Sequence, residues 1–153
     1  MPLLKILLLE DSRFDADLIA KELKKLSHPF HLSAIQSEAD LRHALAFQPP
    51  DLILSDHGLP AFDGFKALEI VREERPELPF IFVSGSNNQQ MVVDMHEMGA
   101  TDYVFKRELG NLCPTIKRAL GEPKKTRPAY EDDAEWEMPA ELQTMSSTGR
   151  VQF

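Results

Sequence analysis

The stretch Asp51-Leu-Ile-Leu-Ser-Asp56-His-Gly-Leu-Pro60-Ala-Phe-Asp-Gly64 decides how this chain folds. Its apolar run, residues 52–54, is short and bounded by polar residues, which is typical of a strand buried on both faces of a parallel sheet. Asp56 follows where the run stops, and the glycines and proline after it predict a loop. Open α/β sheets place their ligand sites at the carboxyl ends of their strands. The position of Asp56 therefore predicts a functional carboxylate.

Apolar runs alternate with segments of helical periodicity on both sides of this stretch. The predicted strands cover residues 4–9, 30–35, 52–54, 79–84 and 103–105. Helices are predicted to begin after Ser12, Ser37 and Asp63, whose side chains can cap a first turn. Two more are predicted over residues 91–98 and 111–120. This alternation with short connections predicts an α/β fold, in which helices cover both faces of a parallel sheet.

Polar side chains follow the apolar runs of four predicted strands. They are Glu10, Asp11, Asp56, Ser84 and Lys106. Because the carboxyl ends of parallel strands meet at one edge of a sheet, we expect these groups to lie together. Two carboxylates about 4 Å apart repel by roughly 4 kcal/mol at an effective dielectric near 20, so the cluster predicts a bound cation. An all-oxygen site that leaves positions for water and phosphate suits Mg²⁺. Together with a lysine and a hydroxyl, it predicts phosphoryl transfer.

The composition limits the partners and the compartment. The chain has 153 residues and a formal net charge of −8, which argues against nucleic acid and anionic membranes as partners. The apolar run over residues 3–9 is too short for the apolar region of a signal peptide, and no apolar run approaches the length of a membrane span. The single cysteine, Cys113, cannot form an internal disulfide, so a cytoplasmic protein is expected.

The character of the sequence changes after Gly121. Residues 122–153 contain three prolines, few aliphatic residues and an acidic cluster over residues 131–137. A segment of this composition cannot bury enough apolar surface to fold alone. We therefore expect one globular domain over residues 1–121 and an acidic, disordered tail over residues 122–153.

At the residues predicted to form this polar edge of the sheet, the sequence resembles the receiver domain of bacterial two-component response regulators. The likeness covers about residues 3–120. It is carried, in chain order, by Glu10-Asp11, Leu52-Ile-Leu-Ser-Asp56, Leu59-Pro60, Asp63-Gly64, Ser84-Gly85, Gly99-Ala100 and Tyr103-Val-Phe-Lys106. The resemblance implies a flavodoxin-like, doubly wound sheet of five parallel strands with five helices, in three α/β/α layers.

The resemblance also implies a phosphoacceptor and its metal. Asp56 would accept a phosphoryl group from a histidine kinase or a histidine phosphotransfer protein. Mg²⁺ would be bound by Glu10, Asp11, Asp56 and the backbone carbonyl of Gly58.

The same likeness implies a switch. Lys106 would contact the phosphoryl group, Ser84 would move toward it, and Tyr103 would change rotamer. The face around the fourth helix and the fifth strand would then present a different surface to a downstream protein target. The sequence does not name that target, and it leaves open whether activation forms a homodimer.

One departure from the family pattern is Arg107, which follows Lys106 where a proline is usual. The loop over residues 106–111 is therefore expected to differ from that of the family.

We interpret the chain as a single-domain response regulator rather than an enzyme that turns over outside substrates. The first alternative is a pseudo-receiver, an interaction module that works without phosphorylation. An aspartate-nucleophile phosphohydrolase is disfavoured, because such enzymes typically place an acid two residues after the nucleophile and this chain has Gly58 there. A flavin-binding module is disfavoured because the acidic edge would repel the flavin phosphate.

Overall fold

The computed structural model describes residues 3–58, 62–85 and 88–121, and within them five strands alternate with five α-helices. The strands are β1 (Leu4–Leu9), β2 (Phe30–Ile35), β3 (Leu52–Ser55), β4 (Phe80–Ser84) and β5 (Asp102–Phe105). The helices are α1 (Arg13–Leu23), α2 (Glu38–Phe47), α3 (Gly64–Glu74), α4 (Gln89–Glu97) and α5 (Leu112–Ala119). All strand pairs are parallel, in the order β2-β1-β3-β4-β5. The predicted fold class is confirmed.

Two hydrophobic cores, one on each face of the sheet, explain the unbroken apolar runs of the strands. Along β1, Leu7 and Leu9 belong to the core that α2, α3 and α4 cover, whereas Ile6 and Leu8 belong to the core that α1 and α5 cover. Residues 52–54 of β3 alternate in the same way and are fully buried. A strand with both faces buried has no polar side to alternate with, so its sequence reads as a continuous apolar segment.

The predicted helix caps are present. The hydroxyls of Ser12 and Ser37 accept hydrogen bonds from backbone N–H groups three residues on, at 3.2 and 3.1 Å. The carboxylate of Asp63 accepts one from the backbone N–H of Phe65 at 2.9 Å. Gly99 follows α4 with φ +96°, a conformation that glycine adopts at low cost at a helix end.

Two connections differ from the sequence-based prediction. Helix α4 begins two residues earlier than predicted, at Gln89, because the side chain of Asn88 accepts hydrogen bonds from two backbone N–H groups of its first turn. Between β5 and α5, a loop was expected, but Lys106–Asn111 forms a 3₁₀ helix interrupted at Glu108 by a non-helical backbone conformation. Short 3₁₀ turns commonly precede α-helices and have no strong sequence signature.

Within the part of the chain that the structure describes, no helix is both long and apolar enough to cross a bilayer. Residues 122–153 lie outside the described residues. The domain boundary at residue 121 and the disordered acidic tail therefore stay predictions.

Candidate functional site: an acidic cluster at the carboxyl ends of the strands

Three carboxylates meet where β1 and β3 end. The two strands are neighbours in the sheet, with Leu9 paired to Ser55, so the residues that follow them are placed side by side. Ligand oxygens of Glu10, Asp11 and Asp56 all lie within 4.8 Å of one another. Glu10 is buried, Asp56 is partly buried and Asp11 is exposed, so the cluster opens to solvent on one side.

The carboxylate of Glu10 has one partner on each oxygen. One oxygen, Oε2, accepts a hydrogen bond from the backbone N–H of Ser12 at 3.1 Å. The other, Oε1, is buried and forms an ion pair with Nζ of Lys106 at 2.7 Å. Burial is the main cause that raises the pKa of Glu10, while Lys106 and the Ser12 N–H oppose that rise. Three carboxylates this close together, of which only Glu10 is buried, fit a divalent cation that prefers oxygen ligands.

Lys106, directly after β5, points its ammonium group into the cluster. Its Nζ lies 2.8 Å from Asp15, 2.7 Å from Glu10 and 3.5 Å from Asp56. Burial by itself lowers the pKa of Lys106, but the contacts with Asp15 and Glu10 and the charge of Asp56 together raise it above its ordinary value. The lysine therefore stays charged and brings a positive charge close to Asp56.

Asp15 is a member of the site that the sequence interpretation missed. It lies in the first turn of α1 and is not one of the three clustered carboxylates. Its Oδ2 accepts a hydrogen bond from Lys106 at 2.8 Å. A signal for it exists in the sequence. Because α1 begins immediately after Asp11, its first turn must lie at the same edge of the sheet as the acidic pair.

His57 is the second functional-site residue without a predicted role. Ser84 ends β4 and is 1% exposed, and its hydroxyl lies 2.7 Å from Nδ1 of His57. The same Nδ1 is 3.6 Å from Oδ1 of Asp56, and the backbone N–H of His57 donates a hydrogen bond to that oxygen at 2.8 Å. The only sequence signal was its position next to Asp56, which says nothing about the direction of the side chain.

Gly64 packs closely against the peptide between Asp56 and His57. The N–H of Gly64 donates to the carbonyl of His57 at 3.1 Å. A Cβ added at Gly64 would collide with the backbone oxygen of Asp56 and lie 2.8 Å from Cα of His57. The glycine is therefore required here for a close backbone approach rather than for a special φ angle.

The remaining candidates are Tyr103 and the backbone carbonyl of Gly58. Tyr103 lies on the edge strand β5, where its side chain is 38% exposed and its ring packs against Phe105 with centroids 5.3 Å apart. Burial, and secondarily the charges of Asp102 and Glu108, raise the pKa of Tyr103. Its change of rotamer stays a prediction, as does the metal-binding role of the Gly58 carbonyl.

Comparison with known proteins decides the family. A family model of the response regulator receiver domain matches residues 6–117, which is more than half of the chain. The chain belongs to this family. Receiver domains are signalling domains of two-component systems, so the resemblance proposed from the sequence is confirmed.

Relatives of this receiver domain include much longer proteins. The DNA-binding transcriptional regulator NtrC of Rhizobium meliloti is 29% identical over 135 residues, which are 88% of this chain but 28% of NtrC. The chain thus spans less than a third of that relative.

Solved structures support the fold. A putative response regulator from Chloroflexus aurantiacus matches with a TM-score of 0.71 and 21% identity, over 78% of this chain and 98% of that one. The receiver domain of a Pseudomonas aeruginosa sensor histidine kinase, described with a magnesium ion coordinated in its active site cleft, matches with a TM-score of 0.68 and 24% identity, over 78% of this chain and 99% of that one. At these identities the likeness shows the fold alone.

Proposed function

We propose that this receiver domain accepts a phosphoryl group on Asp56 from a histidine kinase or a histidine phosphotransfer protein, and that the modification switches a protein-binding face. The observation that carries the proposal is the environment of Asp56. Its carboxylate lies in a three-carboxylate cluster, 3.5 Å from the Lys106 ammonium. A nucleophilic carboxylate beside a fixed positive charge and a group of potential metal ligands is the set of parts that phosphoryl transfer requires.

In the proposed reaction, a carboxylate oxygen of Asp56 attacks the phosphorus of a phosphohistidine donor. The P–O bond to Asp56 forms as the P–N bond breaks, and the donor imidazole keeps the electron pair and takes up a proton. Lys106 would contact a phosphoryl oxygen, and the hydroxyl of Ser84 would donate a hydrogen bond to another. Both groups act by position and charge.

Mg²⁺ is the proposed cofactor. Glu10, Asp11, Asp56 and the backbone carbonyl of Gly58 would hold it, and it would neutralise charge on the phosphoryl oxygens. The three carboxylates, with ligand oxygens that all lie within 4.8 Å of one another, support the assignment. So does the magnesium ion described for the structurally similar receiver domain of Pseudomonas aeruginosa.

The proposed output is a protein contact. The phosphorylated domain would present a changed surface around α4 and β5, including Tyr103, to a downstream protein or to a second copy of itself. The proposed enzymatic chemistry is limited to phosphorylation from a donor and loss of the phosphoryl group from the domain itself. No contact with nucleic acid is proposed for this acidic chain, although the relative NtrC is a DNA-binding protein.

Intact mass spectrometry tests the phosphoacceptor. Wild type, Asp56→Asn and Asp17→Asn are incubated with Mg²⁺ and acetyl phosphate. Asp17 is the control, since its side chain is 69% exposed on α1 and its ion pair with Arg13 lies at the surface. A gain of about 80 Da, one phosphoryl group, is expected in wild type and Asp17→Asn but not in Asp56→Asn. Chelation of Mg²⁺ should abolish the gain.

The pseudo-receiver is the second candidate, and two contacts favour it. Lys106 is held by Asp15 and Ser84 is held by His57, so both phosphate-binding groups already have partners. If neither acetyl phosphate nor a phosphorylated histidine donor adds a phosphoryl group to wild type, the phosphoacceptor proposal fails and the pseudo-receiver replaces it.

A further inference from the structure

The hydroxyl of Ser84 and the imidazole of His57 form a short contact beside the proposed phosphoacceptor. The Oγ–Nδ1 distance is 2.7 Å. Ser84 is 1% exposed and the His57 side chain is 21% exposed, so water competes poorly for this hydrogen bond. In either imidazole tautomer one of the two groups donates and the other accepts, so the hydroxyl is held in both cases.

His57 itself is held on both sides of its backbone. Its N–H donates to Oδ1 of Asp56 at 2.8 Å, and its carbonyl accepts from the N–H of Gly64 at 3.1 Å. Gly64 packs so closely on the peptide between Asp56 and His57 that an added Cβ would lie 2.8 Å from Cα of His57. The imidazole is thus presented to Ser84 from a backbone that these contacts hold.

We infer that His57 is a positioning residue that holds the Ser84 hydroxyl in the unphosphorylated state and competes with the phosphoryl group for it. The inference rests on the proposed phosphorylation of Asp56. Oδ1 of Asp56 is 3.6 Å from Nδ1 of His57, so a phosphoryl group on Asp56 arrives next to the existing hydrogen bond. With Nδ1 unprotonated, the hydroxyl gives its one hydrogen to His57. In that tautomer, donation to the phosphoryl group requires the hydrogen bond between Ser84 and His57 to break.

The free energy of the hydrogen bond between Ser84 and His57 sets how much its loss changes the affinity for a phosphoryl group. A hydrogen bond of ordinary net strength changes an equilibrium by roughly three- to tenfold. Removal of the imidazole should therefore make the phosphoryl-bound state three- to tenfold easier to reach, provided that Ser84 is present to respond.

Beryllofluoride, which mimics a phosphoryl group on a carboxylate, is the probe. Its apparent Kd is measured by calorimetry in Mg²⁺ for wild type, His57→Phe, Ser84→Ala and the double variant. His57→Phe keeps a ring of similar size but removes the nitrogen. We expect its Kd to fall three- to tenfold relative to wild type, and the same substitution to change Kd by less than twofold in the Ser84→Ala background. His57→Asn, which retains a hydrogen-bonding group near the place of Nδ1, should restore a Kd close to that of wild type.

Two outcomes would overturn the inference while leaving the proposed function intact. In the first, wild type binds beryllofluoride and the His57→Phe variant binds it with the same Kd. The other is an equal change in the Ser84 and Ser84→Ala backgrounds, which would mean that the ring acts by its bulk rather than through the hydroxyl. Circular dichroism of each variant establishes that it is folded. If wild type itself neither binds beryllofluoride nor gains a phosphoryl group, the proposed function fails, and this inference fails with it.

Discussion

The two ends of the sheet hold buried charge in opposite ways. Where β4 and β5 begin, Arg72 of α3 donates hydrogen bonds to three backbone carbonyls, those of Gly99 and Leu78 at 2.8 and 2.7 Å and that of Pro76 at 3.3 Å. A fourth contact reaches the hydroxyl of Thr101 at 3.3 Å. One charge is thus satisfied by neutral acceptors, although burial lowers the pKa of Arg72.

At the other end of the sheet, charges face charges. Lys106 lies within 4 Å of Glu10, Asp15 and Asp56, so one cation is shared among three carboxylates. This difference indicates that the Arg72 end of the sheet has a structural role. Neutral dipoles around one cation stabilise a single arrangement. Charges that compete for one another leave coordination positions for a ligand and allow several arrangements of similar energy.

Removal of the Arg72 guanidinium should give the largest loss of stability. Arg72→Ala leaves the Gly99 and Leu78 carbonyls without this donor in a partly buried position, so we expect the free energy of unfolding to fall by about 2–4 kcal/mol. Urea unfolding measures it. Arg13→Ala is the matched control, because Arg13 is 91% exposed and makes only a surface ion pair. Its cost should stay below about 1 kcal/mol. An equal loss of unfolding free energy in the two variants would show that the contacts of Arg72 with backbone carbonyls do not stabilise the domain more than a surface ion pair does.

Gly64→Ala should be the most damaging small substitution at the carboxyl end. The new methyl group collides with the backbone at Asp56, and overpacking of this kind costs about 1–3 kcal/mol. We also expect a loss of phosphoryl adduct, because the Asp56–His57 backbone must move. In Gly110→Ala the added Cβ meets nothing within 4 Å, so this control should match wild type in both assays. Normal stability and phosphorylation of Gly64→Ala would show that the peptide between Asp56 and His57 tolerates displacement.

Magnesium should stabilise the domain through the carboxyl end alone. At a concentration ten times its Kd, a ligand that binds only the folded state adds about 1.4 kcal/mol. Asp56→Asn removes one proposed ligand, so thermal unfolding should show a smaller gain from Mg²⁺ than in wild type. In chelator the variant should be at least as stable as wild type, because the charge of Asp56 contributes to the raised pKa of Glu10. An identical Mg²⁺ response in wild type and Asp56→Asn would contradict a metal site at this cluster.

The pH dependence that Glu10 introduces should be the smallest effect. Burial raises its pKa in the folded state above the ordinary value of 4.5, so folding favours its protonated form. Its contribution to stability is therefore complete below pH 4.5 and is lost as the pH rises through the raised pKa. Urea unfolding in chelator should show Glu10→Gln gaining stability relative to wild type as the pH is raised from 4.5 to 7. A difference between the two proteins that is independent of pH would show that Glu10 is not desolvated as described.

The sequence by itself determined the fold and which polar residues lie at one edge of the sheet. Strands buried on both faces leave unbroken apolar runs, and helix caps use a few residue types, so both can be recognised locally. Polar residues placed directly after such runs must meet at one edge of a parallel sheet, which is why the sequence alone predicts that Glu10, Asp11, Asp56, Ser84 and Lys106 share that edge. The order of strands then brings β1 and β3 together and creates the acidic cluster.

Only the tertiary structure decided how these groups are held. Asp15 lies 91 residues from Lys106 in the chain and His57 lies 27 from Ser84, and no local pattern encodes either contact. A side chain's direction at the end of a strand depends on the loop behind it, here on the close approach of Gly64 to the Asp56–His57 peptide. Local periodicity specifies which residues reach the edge of the sheet. Which of these side chains bond to one another depends on angles and on differences in distance of a few tenths of an ångström. Both are set only when the elements pack together.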